Sequence, residues 1–449
     1  MKTWLPALTL AAMSLVAVGL ASAGKSAFDE LFLPLLLLFG ALAWSTAKLA
    51  HHWRPHLWVL AGLGLRVTWL LVGEEPLLSE DWMRYCWDGW LVATGENPYA
   101  VAPRIWLENH PASAPLNQLL AGMNSPDYRA IYPPLAQYLF AALHLPERLQ
   151  GLAPDPSMWL FRWRLLLLAA ETATLWGLSR LSPRWVAAYA LHPLPIVEGV
   201  GNGHLDGIVL MWLVLALQTK SSRTSAIHLA AAIATKVFPI VLLPAWWRKR
   251  ERELRRELEL KRGLGLERGR GLGREVLTGV LTIFVLALPI ALSTGGFSGA
   301  WESAGLFAHT FEFNASLYFL VREIGEAWVG YNPIAVVGPA LLALGLLGAA
   351  AVGLLGPNRW GFPSRALGAF AVLFTCATTV HPWYLLYILF FGILAQRKWA
   401  VVASFTALLS YGFYDGDVAW IPWGWAVYGL PLGVGMWEVM QRQPQPPHG

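Results

Sequence analysis

Apolar runs long enough to cross a bilayer, roughly 20 residues each, recur from one end of the chain to the other. They predict spans near 4–23, 28–47, 57–73, 158–179, 184–200, 204–219, 276–294, 333–355, 366–380, 383–395, 399–413 and 422–439. The first run follows Lys2 and closes on Ala21-Ser22-Ala23. It reads as a retained span, with a cleaved signal peptide as the alternative. Two further apolar segments, 133–146 and 225–247, fit either a crossing or a turn-back. Thr235-Lys236-Val237-Phe238-Pro239 interrupts the second, since proline removes a helix donor and lysine is costly at membrane depth.

Charge placement decides between these readings. Residues 248–275 hold 11 Lys/Arg against 6 Asp/Glu, and the positive-inside rule puts this block in the cytoplasm. If 133–146 only dips into the bilayer and 225–247 is a broken up-and-down pair, then Arg180, Arg184, Lys220 and Arg223 also fall inside. Lys48, Arg54, Arg359, Arg365, Arg397, Lys398 and Arg442 join them. Outside lie the loop 74–131, the 201–206 turn, the loop 296–332, the His381 turn and Asp415/Asp417. The 74–131 loop carries eight acids and three arginines, the opposite balance. The block at 248–275 reads as a solvated, low-complexity cytoplasmic linker, and no internal repeat is evident.

Composition removes whole classes of function. Of 449 residues, 56% are hydrophobic and 14% are charged, against roughly 25% charged in soluble domains. With 25 Trp and a mean hydropathy of +0.47, the chain is neither a soluble enzyme, a disordered protein nor a nucleic-acid binder. Cys86 and Cys376 cannot build a disulfide framework. The net charge of +5 equals the excess of the 248–275 block alone, so it reports topology rather than a polyanionic partner. The expected fold is one all-α, polytopic membrane bundle spanning 1–449, with about 12–14 spans.

The candidate chemistry lies on the outer side. The 74–131 loop opens with Ser79-Glu80-Asp81-Trp82-Met83-Arg84-Tyr85-Cys86-Trp87-Asp88. If 81–93 is helical, Asp81, Arg84, Tyr85 and Asp88 share one face, suited to a sugar site at headgroup level. The plain alternative for Asp81 is a helix cap in a structural loop. Three other clusters are candidates to converge on it: Glu198, Asn202, His204 and Asp206 around a Gly-rich turn; His309, Glu312 and Asn314; and Thr379-Val380-His381-Pro382-Trp383-Tyr384. Acid–His pairs can ligate metals, but the spacing here is a weak signal and a structural polar turn is the commoner reading. Lys236 in a broken apolar helix reads as functional, with an anionic phosphate as its natural partner; snorkelling to an interface is the alternative. No P-loop, Rossmann fingerprint, HExxH or GxSxG stands in a suitable context.

These residues resemble the GT-C superfamily of polytopic glycosyltransferases, and within it glycosyltransferase family 87 and the polyprenol-phosphate-mannose-dependent mannosyltransferases. The similarity runs through Glu80-Asp81-x-x-Arg84-Tyr85-x-Trp87-Asp88-Gly89, Gly95-x-Asn97-Pro98-Tyr99 and Ile131-Tyr132-Pro133-Pro134. It continues through His192-Pro193-Leu194 with Glu198, Gly203-His204-x-Asp206, Thr235-Lys236 with Pro239, Phe313-Asn314 and His381-Pro382-Trp383-Tyr384. The elements occur in the family's order over roughly 57–395. The pair at 80–81 is usually two aspartates in such proteins; here the first is Glu80, and the spacing to Arg84-Tyr85 favours Asp81.

The resemblance implies a GT-C bundle whose large external first loop carries juxtamembrane helices and the catalytic acid. It implies a hexose, mannose first, carried on a polyprenyl phosphate and transferred with inversion, on the outer face of the cell membrane, to a glycan or glycolipid acceptor. Asp81 is then the candidate base, with Lys236, Arg129 and His381 at the donor phosphate. Glu80, Arg84, Tyr85, Asp88, His204, Asp206 and Asn314 are candidates for the sugar or acceptor; Trp87 and Tyr99 either stack on the sugar or pack the loop. Many relatives work without metal, so none is assigned, and no cofactor is expected; a divalent ion stays open. Membrane lipid is the remaining partner. The competing class is a transporter or flippase of a lipid-linked or small polar substrate.

Overall fold

The computed structural model describes residues 5–23, 28–73, 75–76, 78–110, 113–263, 271–415 and 424–441. Lys2, Asp417, Arg442 and residues 264–270 of the basic block lie outside them. Among the described residues every regular element is helical, and one isolated parallel bridge joins Phe313 to Thr379.

Helices stand where apolar runs predicted them. Four are long and apolar enough to cross a membrane: Phe28–Leu49, Pro55–Val72, Gly273–Ala291 and Ile334–Leu355. Leu5–Ala21, Phe362–Cys376 and Pro382–Ala395 are apolar but shorter. Pro156–Leu181 runs for 26 residues and carries Arg162, Arg164, Glu171 and Arg180. The result is an all-α bundle compatible with a membrane location. Four of the described helices meet the length and hydropathy demands of a span, five if a bent pair is one span, where the apolar runs suggested about twelve.

That bent pair replaces the two straight spans expected at 184–200 and 204–219. Pro193 and Pro195 lack the amide hydrogens a continuous helix needs. The chain instead forms a short helix, Val186–Ala190, and a wide-turned one, Pro195–Gly201. It then bends by 109° into Asp206–Gln218, and Gly203 takes φ +79° in the bend, where a side chain would be strained. The break expected inside 225–247 is present. Ser222–Thr235 ends at Lys236, whose backbone is extended, and Phe238–Leu242 is a tight 3-10 turn leading into Leu243–Gly263.

Of the 248–275 block, residues 248–263 and 271–275 are described. It is helical to Gly263 and helical again from Gly271. Its charges pair along the helix, Arg248 with Glu251 at 2.7 Å and Arg255 with Glu251 at 2.8 Å, while Arg250 reaches Glu275 at 2.7 Å. Alternating Glu and Arg at i,i+3 and i,i+4 supply each other's partners.

The loop 74–131 is a packed layer. Asp81–Ala93 is its main helix, as the spacing predicted. It lies against Pro134–Ala142, a helix of nine residues and so about 14 Å long, too short to cross a hydrocarbon core of roughly 30 Å. Gly89 permits the approach, since a Cβ there would sit 2.6 Å from the Phe140 carbonyl. Tyr85 stacks on Phe140 with ring centres 4.8 Å apart, and the Trp159 indole donates to the Phe140 carbonyl at 3.0 Å. Trp82, Trp87, Trp159 and Trp163 complete this aromatic core. It seats the loop on the end of Pro156–Leu181.

Under it lies a fully buried ion pair that the apolar pattern had concealed. Arg66 of Pro55–Val72 meets Glu171 of Pro156–Leu181 at 2.9 Å, both side chains inaccessible. Glu171 also accepts from the Tyr189 hydroxyl at 2.9 Å, and Arg66 donates to the carbonyls of Gly62 and Ala190. Removing one partner of such a pair costs about 3–5 kcal/mol, whereas replacing both is close to neutral. Arg66→Met is therefore expected to lower thermal stability in detergent strongly, and Arg66→Met with Glu171→Met to recover most of it. A double variant as unstable as the single one would contradict this account.

Candidate active site

Asp81 opens the Asp81–Ala93 helix, and its position is fixed from three sides. Asn124 donates to Oδ1 at 2.9 Å, the Tyr85 hydroxyl lies 3.5 Å from Oδ2, and the backbone amide of Asp81 donates to Ser79 Oγ at 3.3 Å. Burial pushes the Tyr85 phenol well above its ordinary range, so it remains a donor. About a fifth of the Asp81 side chain, 19%, is accessible. The face expected to meet a sugar turns inward below it. Arg84, Tyr85 and Asp88 are 4%, 1% and 0% exposed.

Arg84 and Asp88 hold the loop together. The guanidinium bonds Asp88 Oδ1 at 2.7 Å and the carbonyls of Ser125 and Tyr128 at 3.0 and 2.7 Å. Gln137 donates to the other Asp88 oxygen at 3.3 Å. Burial pushes the Asp88 carboxyl up and Arg84 opposes the shift, so the ion pair keeps this acid in service as a strut. Trp87 and Tyr99 pack the loop, both being buried. Asn97 docks the loop by donating to the carbonyls of Thr294 and Gly296 at 2.9 and 3.0 Å. Arg129 is partly exposed and pairs with Glu302.

The 201–206 turn supplies the second wall. Trp163 and Arg164 of Pro156–Leu181 donate to the carbonyls of Gly203 and Gly201 at 2.7 and 2.8 Å. The bend thereby presents His204 and Asp206, both fully buried. His204 Nε2 lies 3.0 Å from Ser79 Oγ and 3.8 Å from Asp81 Oδ2. Its Nδ1 lies 3.0 Å from Glu198 Oε2. Glu198 also accepts from the Tyr411 hydroxyl at 2.9 Å and from Asn202 at 3.1 Å.

Lys236 closes the third side. Its ammonium donates to both Asp206 oxygens, at 3.0 and 2.7 Å, and lies 4.9 Å from the Tyr384 ring centre and 5.3 Å from that of Phe238. Its side chain is 13% exposed. A buried carboxylate on one side and aromatic faces on the other hold a cation well in a dry setting.

A ring stack joins the walls. His204 stacks on Trp383 at 3.7 Å, Trp383 on His381 at 4.3 Å, and His381 on Phe313 at 5.0 Å. Tyr384 joins the walls as well, its ring edge-on to His381 at 5.5 Å and 4.9 Å from the Lys236 ammonium. Asn314 secures the stack from behind. With φ +46°, a conformation asparagine tolerates, it donates to the Val380 carbonyl at 3.1 Å and accepts from Tyr428 at 2.6 Å. Glu312 likewise turns away, to Tyr318 and Arg322 at 2.6 Å each.

The structure thus gathers Asp81, Tyr85, His204, Asp206, Lys236 and His381 into one site. Glu80 stands half-buried just before the helix. Arg84, Asp88 and Asn314 support the site from inside the protein.

No known protein family, curated protein or solved structure matches this chain.

The site therefore has to be read from its own geometry. Among the described residues no group of three or more His, Cys, Asp or Glu side chains could hold a metal ion. Sequence reasoning missed Ser79, Asn124 and Tyr411. Glu198 belongs to the cluster that the Gly-rich turn had marked. Tyr411 left no trace, being one more aromatic in an apolar run.

Proposed function

We propose that the protein is a GT-C-type glycosyltransferase of the outer membrane face, moving a hexose, mannose first, from a polyprenyl phosphate to an acceptor hydroxyl. The observation that carries this reading is a partly accessible carboxylate, Asp81, against His204, whose turn also carries the buried Asp206 that fixes Lys236. The acceptor oxygen attacks the anomeric carbon, the bond to phosphate oxygen breaks with its electron pair, and Asp81 takes the hydroxyl proton. The product sugar is inverted. A base works within about 2.6–3.2 Å of that proton, and the accessible fifth of the Asp81 side chain is where the hydroxyl would approach.

The leaving phosphate gains negative charge, which a fixed cation stabilises. Lys236 suits the task. Two of its N–H donors go to Asp206, and in this reading the remaining one turns to the anionic phosphate oxygen. Asp206 in this reading orients the lysine rather than the sugar, and His381 lies on the donor side of the shared ring stack.

The test is to incubate membranes containing the protein with labelled polyprenyl-phosphate mannose and, separately, the glucose analogue. A labelled glycan or glycolipid made with the first donor is expected. The transporter reading has one observation in its favour: the 109° bend and the break at Lys236 are discontinuous helices at a polar site, as in many transporters. Flux of an unmodified lipid-linked sugar across proteoliposomes, with no new glycosidic product, would establish it instead.

A further inference from the structure

The transfer reaction leaves a proton on Asp81, and the base must lose it before the next cycle. Asp81 itself is only partly open to water. The residue beside it is built to take that proton. His204 Nδ1 faces two acceptors of Glu198, the carboxylate oxygen at 3.0 Å and the backbone carbonyl at 3.2 Å. The hydrogen of the neutral ring accordingly sits on Nδ1, an assignment made from the bonding pattern. Nε2 is then a lone pair. It accepts the Ser79 hydroxyl at 3.0 Å, and the Ser79 oxygen in turn accepts the Asp81 amide. That lone pair lies 3.8 Å from Asp81 Oδ2, a gap that rotation of the carboxylate can close once a proton replaces its charge.

We propose, building on the transferase reading, that His204 is the proton store of the site, a positioning residue that acts through Asp81 and is tuned by Glu198. The acceptor proton passes to Asp81 Oδ2 as the glycosidic bond forms. It then moves to His204 Nε2, restoring the carboxylate and leaving an imidazolium against the Glu198 carboxylate. Charge is conserved, because the singly charged phosphodiester donor becomes a doubly charged phosphomonoester and one proton. The store keeps the carboxylate free while product occupies the site; once product has left, the proton returns through Asp81 to water, since His204 is fully buried.

Every group around the ring fits this role. Asp81 faces Nε2 from the Asp81–Ala93 helix and Glu198 faces Nδ1 from Pro195–Gly201. Tyr411 stands behind Glu198 and fixes it through bonds of 2.9 and 3.1 Å. Trp383 covers one ring face, with His381 on its far side. Asp206, two residues on, is neutralised by Lys236. A purely architectural histidine would need none of this polarity, and would not face a partly exposed acid with its unprotonated nitrogen.

The test is the pH profile of transfer by the full-length protein in membranes. In the wild type, acid fills Nε2 from solution and the rate should fall with decreasing pH. His204→Gln is expected to lower kcat by about 100-fold, to leave the donor KM within a factor of about two, and to flatten that acid-side fall. Equal kcat, or a reduced kcat with the fall intact, overturns the proposal, as does a wild-type profile without that fall. If His204→Gln does not accumulate, Glu198→Gln decides: the acid-side fall must move to lower pH, because the imidazolium has lost its counter-charge, and an unmoved profile is equally fatal. Absence of transfer by the wild type would strike the functional reading itself, a separate outcome from failure of the proton store.

Discussion

Asp81→Asn is expected to abolish sugar transfer, by about 1,000-fold or more, while the protein accumulates in membranes at its usual level. General base catalysis is worth about 10²–10⁴, and an amide in place of the carboxylate cannot accept the acceptor proton at working pH. The fold should tolerate the change. The substituted side chain keeps an oxygen for the Asn124 donor at the Oδ1 position, and its helix remains seated by Trp82, Tyr85 and Trp87. Glu80→Gln is the matching control and should leave the rate within a few-fold, because Glu80 lies one residue before the helix that Asp81 opens. Product formation by membranes carrying each variant, normalised to protein content, is the measurement. A loss of only a few-fold in Asp81→Asn would remove it as the base. A larger loss in Glu80→Gln would transfer the role to the neighbouring acid.

Lys236→Met should have the second large effect, and on two properties at once. Asp206 is fully buried and its carboxylate is held by Lys236 through two bonds. Without the lysine it is an uncompensated charge, and about 3–5 kcal/mol of stability is expected to go with it. Transfer should fall as well, since the phosphate loses its cation. Stability and activity can be separated by a double-mutant cycle. Asp206→Asn added to Lys236→Met removes the stranded charge, so thermal stability in detergent should recover while transfer stays lost. Recovery of both would make the lysine a structural group and nothing more. Failure of stability to recover would mean that the pair's geometry, not its charge balance, is what the fold requires.

The sequence was legible where the signal is local. The Asp81–Ala93 helix follows from spacing, and the break at Lys236 follows from Pro239 and a charge in an apolar run. Local signals failed where partners are distant. Nothing near Arg84 or Asp88 tells that their face folds inward onto residues 125–137. Tyr411 reaches Glu198 across 213 positions, and Arg66 reaches Glu171 across 105. Lys236 illustrates the distinction best. Its cost at depth marks it as functional, but that Asp206 would be its counterion depends on where the 109° bend delivers the next helix, which no periodicity encodes. The count of crossings suffered from a related ambiguity, because an apolar run buried against other helices reads the same as one facing lipid.

The buried pairs Arg66–Glu171, Arg84–Asp88 and Lys236–Asp206 have a further effect on how the protein meets its surroundings. An electric potential across a membrane does about 2.3 kcal/mol of work per 100 mV on each elementary charge carried through it. A cation and an anion held in direct contact and moving together carry no net charge through the field. The pairs on the apolar helices, Arg66–Glu171 and Lys236–Asp206, therefore offer a membrane voltage almost no net charge to act on.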